Sequence, residues 1–181
     1  ALGVRSDIHP SLYWTPSQST GASKLATENR FDPLAYLAIM SYSIGQEDVE
    51  AIANRLNMPK AWTLIWFEMP QLQSALLSLN DPSVSPSQVE ENLRNFSDHS
   101  LLAAEAMDQT LSSKKWISCY MNCLRYIRPI LTGDDILDMG IPPGPIVGDI
   151  LASLHKGKMD GKLISRQDEV DMAQRWAGQS H

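Results

Sequence analysis

The run Thr132-Gly-Asp-Asp-Ile-Leu-Asp-Met-Gly-Ile-Pro-Pro-Gly-Pro-Ile-Val-Gly-Asp-Ile-Leu151 spaces three glycines, Gly140, Gly144 and Gly148, four residues apart around Pro145. Gly140 can end one short helix and Gly144-Pro145 can begin the next, whose first backbone N–H groups lack internal partners and sit at the positive end of the helix dipole. Such an end can hold a phosphate oxygen without any side chain, and Pro145 removes only a donor that would be orphaned anyway. Gly148 lies one turn further on the same side, where a glycine costs about 1 kcal/mol of helix stability relative to alanine. Its presence predicts that another backbone, of protein or nucleic acid, comes close. Basic side chains flank the turn: Arg125 and Arg128, on one face of the preceding helix, and Lys156, Lys158 and Lys162, expected beyond the following one. Contacts of this kind read the position of phosphates rather than base sequence. The plainer reading of the same residues is a close crossing of two helices with the lysines as a solvated face.

Bond-making chemistry finds no comparable footing. Nucleotidyl transfer needs two close carboxylates on a rigid element to hold metal ions that bridge phosphates. Asp134, Asp135 and Asp138 cluster, but at the start of a short helix, where acids favour the dipole and complete a cap, and Asp168, Glu169 and Asp171 repeat the arrangement later. His9, His99, His155 and His181 share no metal-ligand spacing, and Asp98-His99 lacks the further ligands a metal-dependent phosphohydrolase needs. Cys119 and Cys123, one helical turn apart with no second pair, read as buried or half-buried thiols in a reducing cytoplasm. No catalytic residue and no metal site is therefore expected in this chain, which reads as a recognition module.

Charge is uneven along the 181 residues. Residues 113–166 hold eight basic against five acidic side chains, a net +3 that leaves −9 to the rest of a chain totalling −6. One end can thus attract a polyanion that the other repels. Hydrophobic residues make up 43% of the chain, enough for a real core in one elongated domain or two small ones. The longest apolar stretch, from Ala61 to Met69, is interrupted by Glu68 and followed by Pro70, so no membrane span is expected. Ala1 opens the chain without methionine or a signal-like pattern, as expected of a processed or truncated polypeptide.

The elements that must position these residues read as helices throughout. Asp32-Pro33 starts a helix to Ser43, Glu47–Leu56 forms a second, and Pro59 starts a third that Pro70 should kink or split before Leu72, Leu76 and Leu79 continue its stripe. Ser85-Pro-Ser-Gln88 is a capping box for Val89–Phe96. Further helices are expected over His99–Leu111, Lys114–Ile127, from Thr132 with Asp135, from Pro145 to about Gly157, and from Ser165 with Asp168 to the end. Trp62, Trp66 and Phe67 recur at helical spacing and read as core, as do Trp116 and Tyr120, although that second pair beside Lys114 and Lys115 can also stack on a base. Ser11–Arg30, rich in Ser, Thr, Gln and Gly, reads as an exposed connection. The class is all-α, a multi-helix bundle or superhelix with a small helical C-terminal tail. Its divisions are an irregular opening over 1–30, a helical body over 31–130 and a tail with the glycine turn over 131–181.

Leu131–Leu151, followed by Lys158-Met-Asp-Gly-Lys-Leu-Ile164 and an acidic closing helix, resembles the C-terminal end of the CCA-adding tRNA nucleotidyltransferase and bacterial poly(A) polymerase family. The matching positions are Gly133, Asp135, Gly140, Pro142, Gly144, Pro145 and Gly148, with Ile136 where leucine is common; Ala1–Leu12 is similar to the junction of that family's neck with its body. The resemblance implies a neck remnant in residues 1–30, and a body and tail that hold tRNA. With RNA as the partner, the residues read above as placed for contact are Arg125, Arg128, Gly144, Pro145, Gly148, Lys156, Lys158 and Lys162, and no membrane is expected. The resemblance also implies that Mg2+ and nucleoside triphosphates belong to a separate catalytic head of the same polypeptide, leaving this part inactive by itself. A helical protein-interaction or dimerisation module without RNA binding is the alternative from the residues alone.

Overall fold

A computed structural model describes residues 8–28, 30–107 and 111–179. Residues 1–7 of the opening resemblance, and His181, lie outside them. The chain is all-α, with ten α-helices, one 3₁₀ turn and no strand among the described residues. In order these are α1 (Pro16–Thr27), α2 (Pro33–Ser41), α3 (Gln46–Arg55), α4 (Lys60–Ser78), α5 (Pro86–Leu93), α6 (Asp98–Met107) and α7 (Leu111–Asn122). The 3₁₀ turn Leu124–Tyr126 follows, then α8 (Gly133–Asp138), α9 (Pro145–Met159) and α10 (Arg166–Gln179). None is long and apolar enough to cross a membrane among the described residues.

Two compact units emerge: residues up to Val84 with Asn92–Met121, and Ser85–Glu91 with residues from Asn122 onward. In the first, α1, α2, α4 and α6 share a core of Leu25, Ala35, Ala38, Ile39, Ile65, Met69, Ala103, Ala106 and Met107. Its alanines let backbones approach, and at Gly21 an added Cβ would lie 2.6 Å from Met107 Sδ. A second cluster joins Leu12, Ile44, Val49, Ile52 and Trp66, whose indole N–H donates to the Leu37 carbonyl at 3.0 Å. Asp32 caps α2 through the Leu34 and Ala35 amides and meets His99 Nδ1 at 2.6 Å. Burial works against its charge, but the His99 ring and those amides hold Asp32 below the usual carboxylate range. Glu68 of α4 likewise accepts from the Ser97 amide and hydroxyl and the Ser100 hydroxyl at the start of α6.

Several elements differ from expectation. The supposed exposed connection holds helix α1, started by a capping box in which Thr15 Oγ1 accepts from the Gln18 amide at 3.2 Å and Gln18 Oε1 from the Thr15 amide at 2.7 Å. Gln18 is fully buried, and its Nε2 donates to the carbonyls of Ile39 and Met40 at the end of α2. A polar residue therefore docks α1, which is why apolar periodicity misses it. Helix α4 runs unsplit through Pro70. Trp62 is exposed, whereas Trp66 and Tyr120 are core, Phe67 is half-buried and Trp116 is half-buried with Lys115 Nζ 6.0 Å from its ring centre. Helix α7 ends at Asn122, so Arg125 belongs to the 3₁₀ turn and Arg128 to the irregular segment after it.

The second unit packs α8, α9 and α10 around Leu131, Ile136, Ile141, Ile150, Leu154, Leu163 and Ala173. The expected capping boxes form: Thr132 with Asp135 for α8, and Ser165 with Asp168 for α10. Gly157 is the close-approach glycine of this unit, since a Cβ there would meet Leu163 Cδ1 at 2.8 Å. Asp160, at the end of α9, accepts from the Ser87 amide of α5 at 2.9 Å. Though burial opposes it, Ser87 and then Lys162 hold Asp160 below the usual range.

Candidate functional site

All eight basic and turn residues singled out in the sequence fall in the second unit. Gly144 is the N-cap of α9 with φ 153° and ψ −169°, a backbone region disfavoured for L side chains, and no side chain caps this end. Pro145 occupies the first helical position and has no N–H, and the Val147 amide donates to the Gly144 carbonyl at 3.1 Å, so the α9 start offers fewer free amides than its sequence predicts. Gly140, at φ 85°, makes the turn that ends α8, as expected of a glycine just past a helix.

Among the described residues nothing outside its own helix packs on Gly148: a Cβ built there meets nothing within 4 Å, and the same holds at Gly144. No crossing of two helices among the described residues uses these two glycines. Pro145, Gly148, Ala152 and Lys156 are all exposed and follow one another at helical spacing, giving α9 a smooth outer stripe that ends in a cation. Ala152 escaped the sequence reading because alanine on a helix carries no signal beyond propensity.

The lysines are placed differently from expectation. Lys156 and Lys158 lie inside the last turn of α9, not beyond it, so about 18 Å of helix separates Lys156 from Gly144 at 1.5 Å per residue. The α9 start and its lysines are thus two ends of one rod, which a single phosphate cannot bridge. Cations at a helix C-terminus also complement its negative pole. Lys158 Nζ pairs at 3.0 Å with Glu169, whose carboxylate is 1% exposed and accepts from the Ile130 amide at 2.7 Å and the Leu131 amide at 2.8 Å. Lys158 is therefore committed to the fold. Lys162 is 74% exposed and stands 3.4 Å from Asp160.

The arginines are not side by side on a helix. Arg128 folds back to donate to the carbonyls of Arg125 and Ile127 at 2.9 and 2.6 Å, while the Arg125 guanidinium sits 5.6 Å from the ring centre of Tyr126, which is 67% exposed. Tyr126 was missed, although an aromatic between two arginines is a legible sign of a stacking surface. His155 Nε2 meets the Ile127 carbonyl at 3.0 Å and steadies this segment.

One acid of each cluster caps its helix, Asp135 for α8 and Asp168 for α10, whereas Glu169 serves the segment before α8. Asp135 is held below the usual carboxylate range by the Thr132 hydroxyl and amide and then by Arg166, whose guanidinium approaches to 2.6 Å. The Ser165 and Ile164 amides do the same for Asp168. Among the described residues no three His, Cys, Asp or Glu side chains are grouped so as to hold a metal ion.

Compared with known proteins, the chain is 34% identical over 85 residues to an A-adding tRNA nucleotidyltransferase of Geobacter sulfurreducens. That match takes in 47% of this chain and 10% of the relative, so the chain spans only a small part of the protein it is similar to. No family model matches, and no solved structure gives a significant match.

Proposed function

We propose that this chain is the tRNA-holding body and tail of a tRNA nucleotidyltransferase or poly(A) polymerase, with nucleotide addition performed by a catalytic head elsewhere in the polypeptide. The observation that carries the reading is the outward stripe of α9, whose uncapped start at Gly144 and open Gly148 leave room for a sugar–phosphate backbone. Similarity to a tRNA nucleotidyltransferase supports an RNA partner over another anion. In this reading the α9 amides take one phosphate, and Lys156 with Lys162 take a second set roughly a helix length away. Arg125 and Tyr126 offer a further contact before α8. Spread over that length, the surface suits a structured RNA stem recognised through backbone and 2′-hydroxyl groups. Mg2+ and nucleoside triphosphates belong to the head, and the cell compartment is the cytoplasm.

Titration of the purified chain with tRNA, against a DNA duplex of equal length and across a salt series, tests this. Saturable tRNA binding that weakens steeply with salt is expected, because phosphate neutralisation releases counterions. A chain that binds neither nucleic acid at low salt is instead the helical interaction module. Incubation with tRNA, ATP, CTP and magnesium is expected to leave the RNA end unextended.

A further inference from the structure

In the first unit, α3 and α4 border an open cleft of about 440 Å³ lined by Glu50, Ala53, Asn54, Met58, Lys60 and Phe67 among others. We infer that this cleft is a nucleobase site, taking a purine from a mononucleotide or from an unpaired RNA residue. Its volume lies within the usual range for small-ligand sites, about 300 to 1,000 Å³. The floor is apolar, with Ala53 buried and Met58 and Phe67 half-buried, which suits the face of a flat ring. Five polar side chains stand around it: Thr63 donates to the Pro59 carbonyl at 3.2 Å, while those of Glu50, Asn54, Asn57 and Lys60 make no hydrogen bond or ion pair with any described residue.

Asn57 shows how the site is built. It sits at φ 48°, just past the end of α3, while the Met58 amide donates to the Ala53 carbonyl at 2.9 Å and closes the helix. Glycine is the least costly residue for that conformation. Asparagine there adds an amide at the cleft rim, and Asn54 of α3 brings a second. Paired donor and acceptor groups of this kind match the N6 and N7 edge of adenine. Lys60 supplies a cation for a 5′-phosphate, and Glu50 an acceptor for an exocyclic amino group or a ribose hydroxyl. The site is confined to the first unit and does not depend on the α9 reading.

Calorimetric titration of the chain with AMP, GMP, CMP, UMP and ribose 5-phosphate, and with an unpaired oligoadenylate, tests the inference. AMP is expected to bind better than the pyrimidine nucleotides, and ribose 5-phosphate not to bind. N54A and N57G should each weaken AMP at least tenfold; glycine is chosen at 57 because it keeps the backbone conformation. K60A should weaken AMP but not adenosine. Binding of AMP itself assigns a free nucleotide, and binding of the oligoadenylate alone assigns an RNA residue. Ribose 5-phosphate binding as well as AMP, AMP binding indifferent to both asparagine changes, or no binding of any adenine-bearing probe would each overturn it. The cleft variants are expected to keep whatever tRNA affinity the second unit confers, so the two readings fail separately.

Discussion

Glu169 and Lys158 form an ion pair at 3.0 Å in which the carboxylate, almost wholly out of solvent, also takes the backbone amides of Ile130 and Leu131. One side chain thereby ties together the segment before α8, helix α10 and a lysine of α9. Removing one partner of such a pair leaves buried polar groups without compensation. Glu169→Ala is expected to destabilise the chain by about 3 to 5 kcal/mol, read as a lowered midpoint in urea. A midpoint within error of the parent would show that the anchor is dispensable.

Gly148→Ala separates stability from binding. The new Cβ meets nothing within 4 Å, so the helix should gain about 1 kcal/mol from the better helix former. If an RNA backbone passes close to that position, tRNA affinity should fall although the protein melts at a higher temperature. Raised stability with unchanged affinity would place the RNA elsewhere.

Lys156 and Lys158, two residues apart, should behave oppositely. Lys156→Ala is expected to weaken tRNA binding uniformly across sequences and to lower the salt slope by about 1, as for one lost phosphate contact. Lys158→Ala, because its ammonium group neutralises Glu169, should lower the denaturation midpoint and leave the salt slope as it was.

Asp32 sets an acid limit on the first unit. Its folded-state pKa lies below the unfolded value, so its contribution is present above the ordinary aspartate pKa and disappears as pH falls through the depressed one. Asp32→Ala should cost about 1 kcal/mol at pH 7 as a lost helix cap. Thermal melts of parent and variant should converge as pH falls through the depressed Asp32 value; a difference that persists at the acid end would mean that packing, not charge, accounts for the loss.

How much of this was legible in the sequence depends on the kind of signal. Helix starts written as a hydroxyl followed three residues on by an amide or acid were plain at Ser85, Thr132 and Ser165, and all three cap as read. The same grammar stands at Thr15-Pro-Ser-Gln18, but α1 was hidden because its docking residue is the buried Gln18 and little apolar periodicity remains. Trp62 misled for the opposite reason: it lies on the long helix α4 but faces outward, and spacing alone does not say which aromatic of a cluster turns inward. At the candidate site, Gly144 and Pro145 were readable because backbone geometry is local. The commitment of Lys158 was not, since its partner is eleven residues away on another helix.

The Ser87 amide held by Asp160 has a practical consequence for dissecting the polypeptide. The second unit draws Ser85–Glu91 from upstream of α6 and α7 in the chain, so no single cut excises it whole. A fragment starting at Asn122 or Leu131 would strip Asp160 of that donor. Grafting or deleting the glycine-turn region as a cassette therefore requires the short serine-led helix to travel with it.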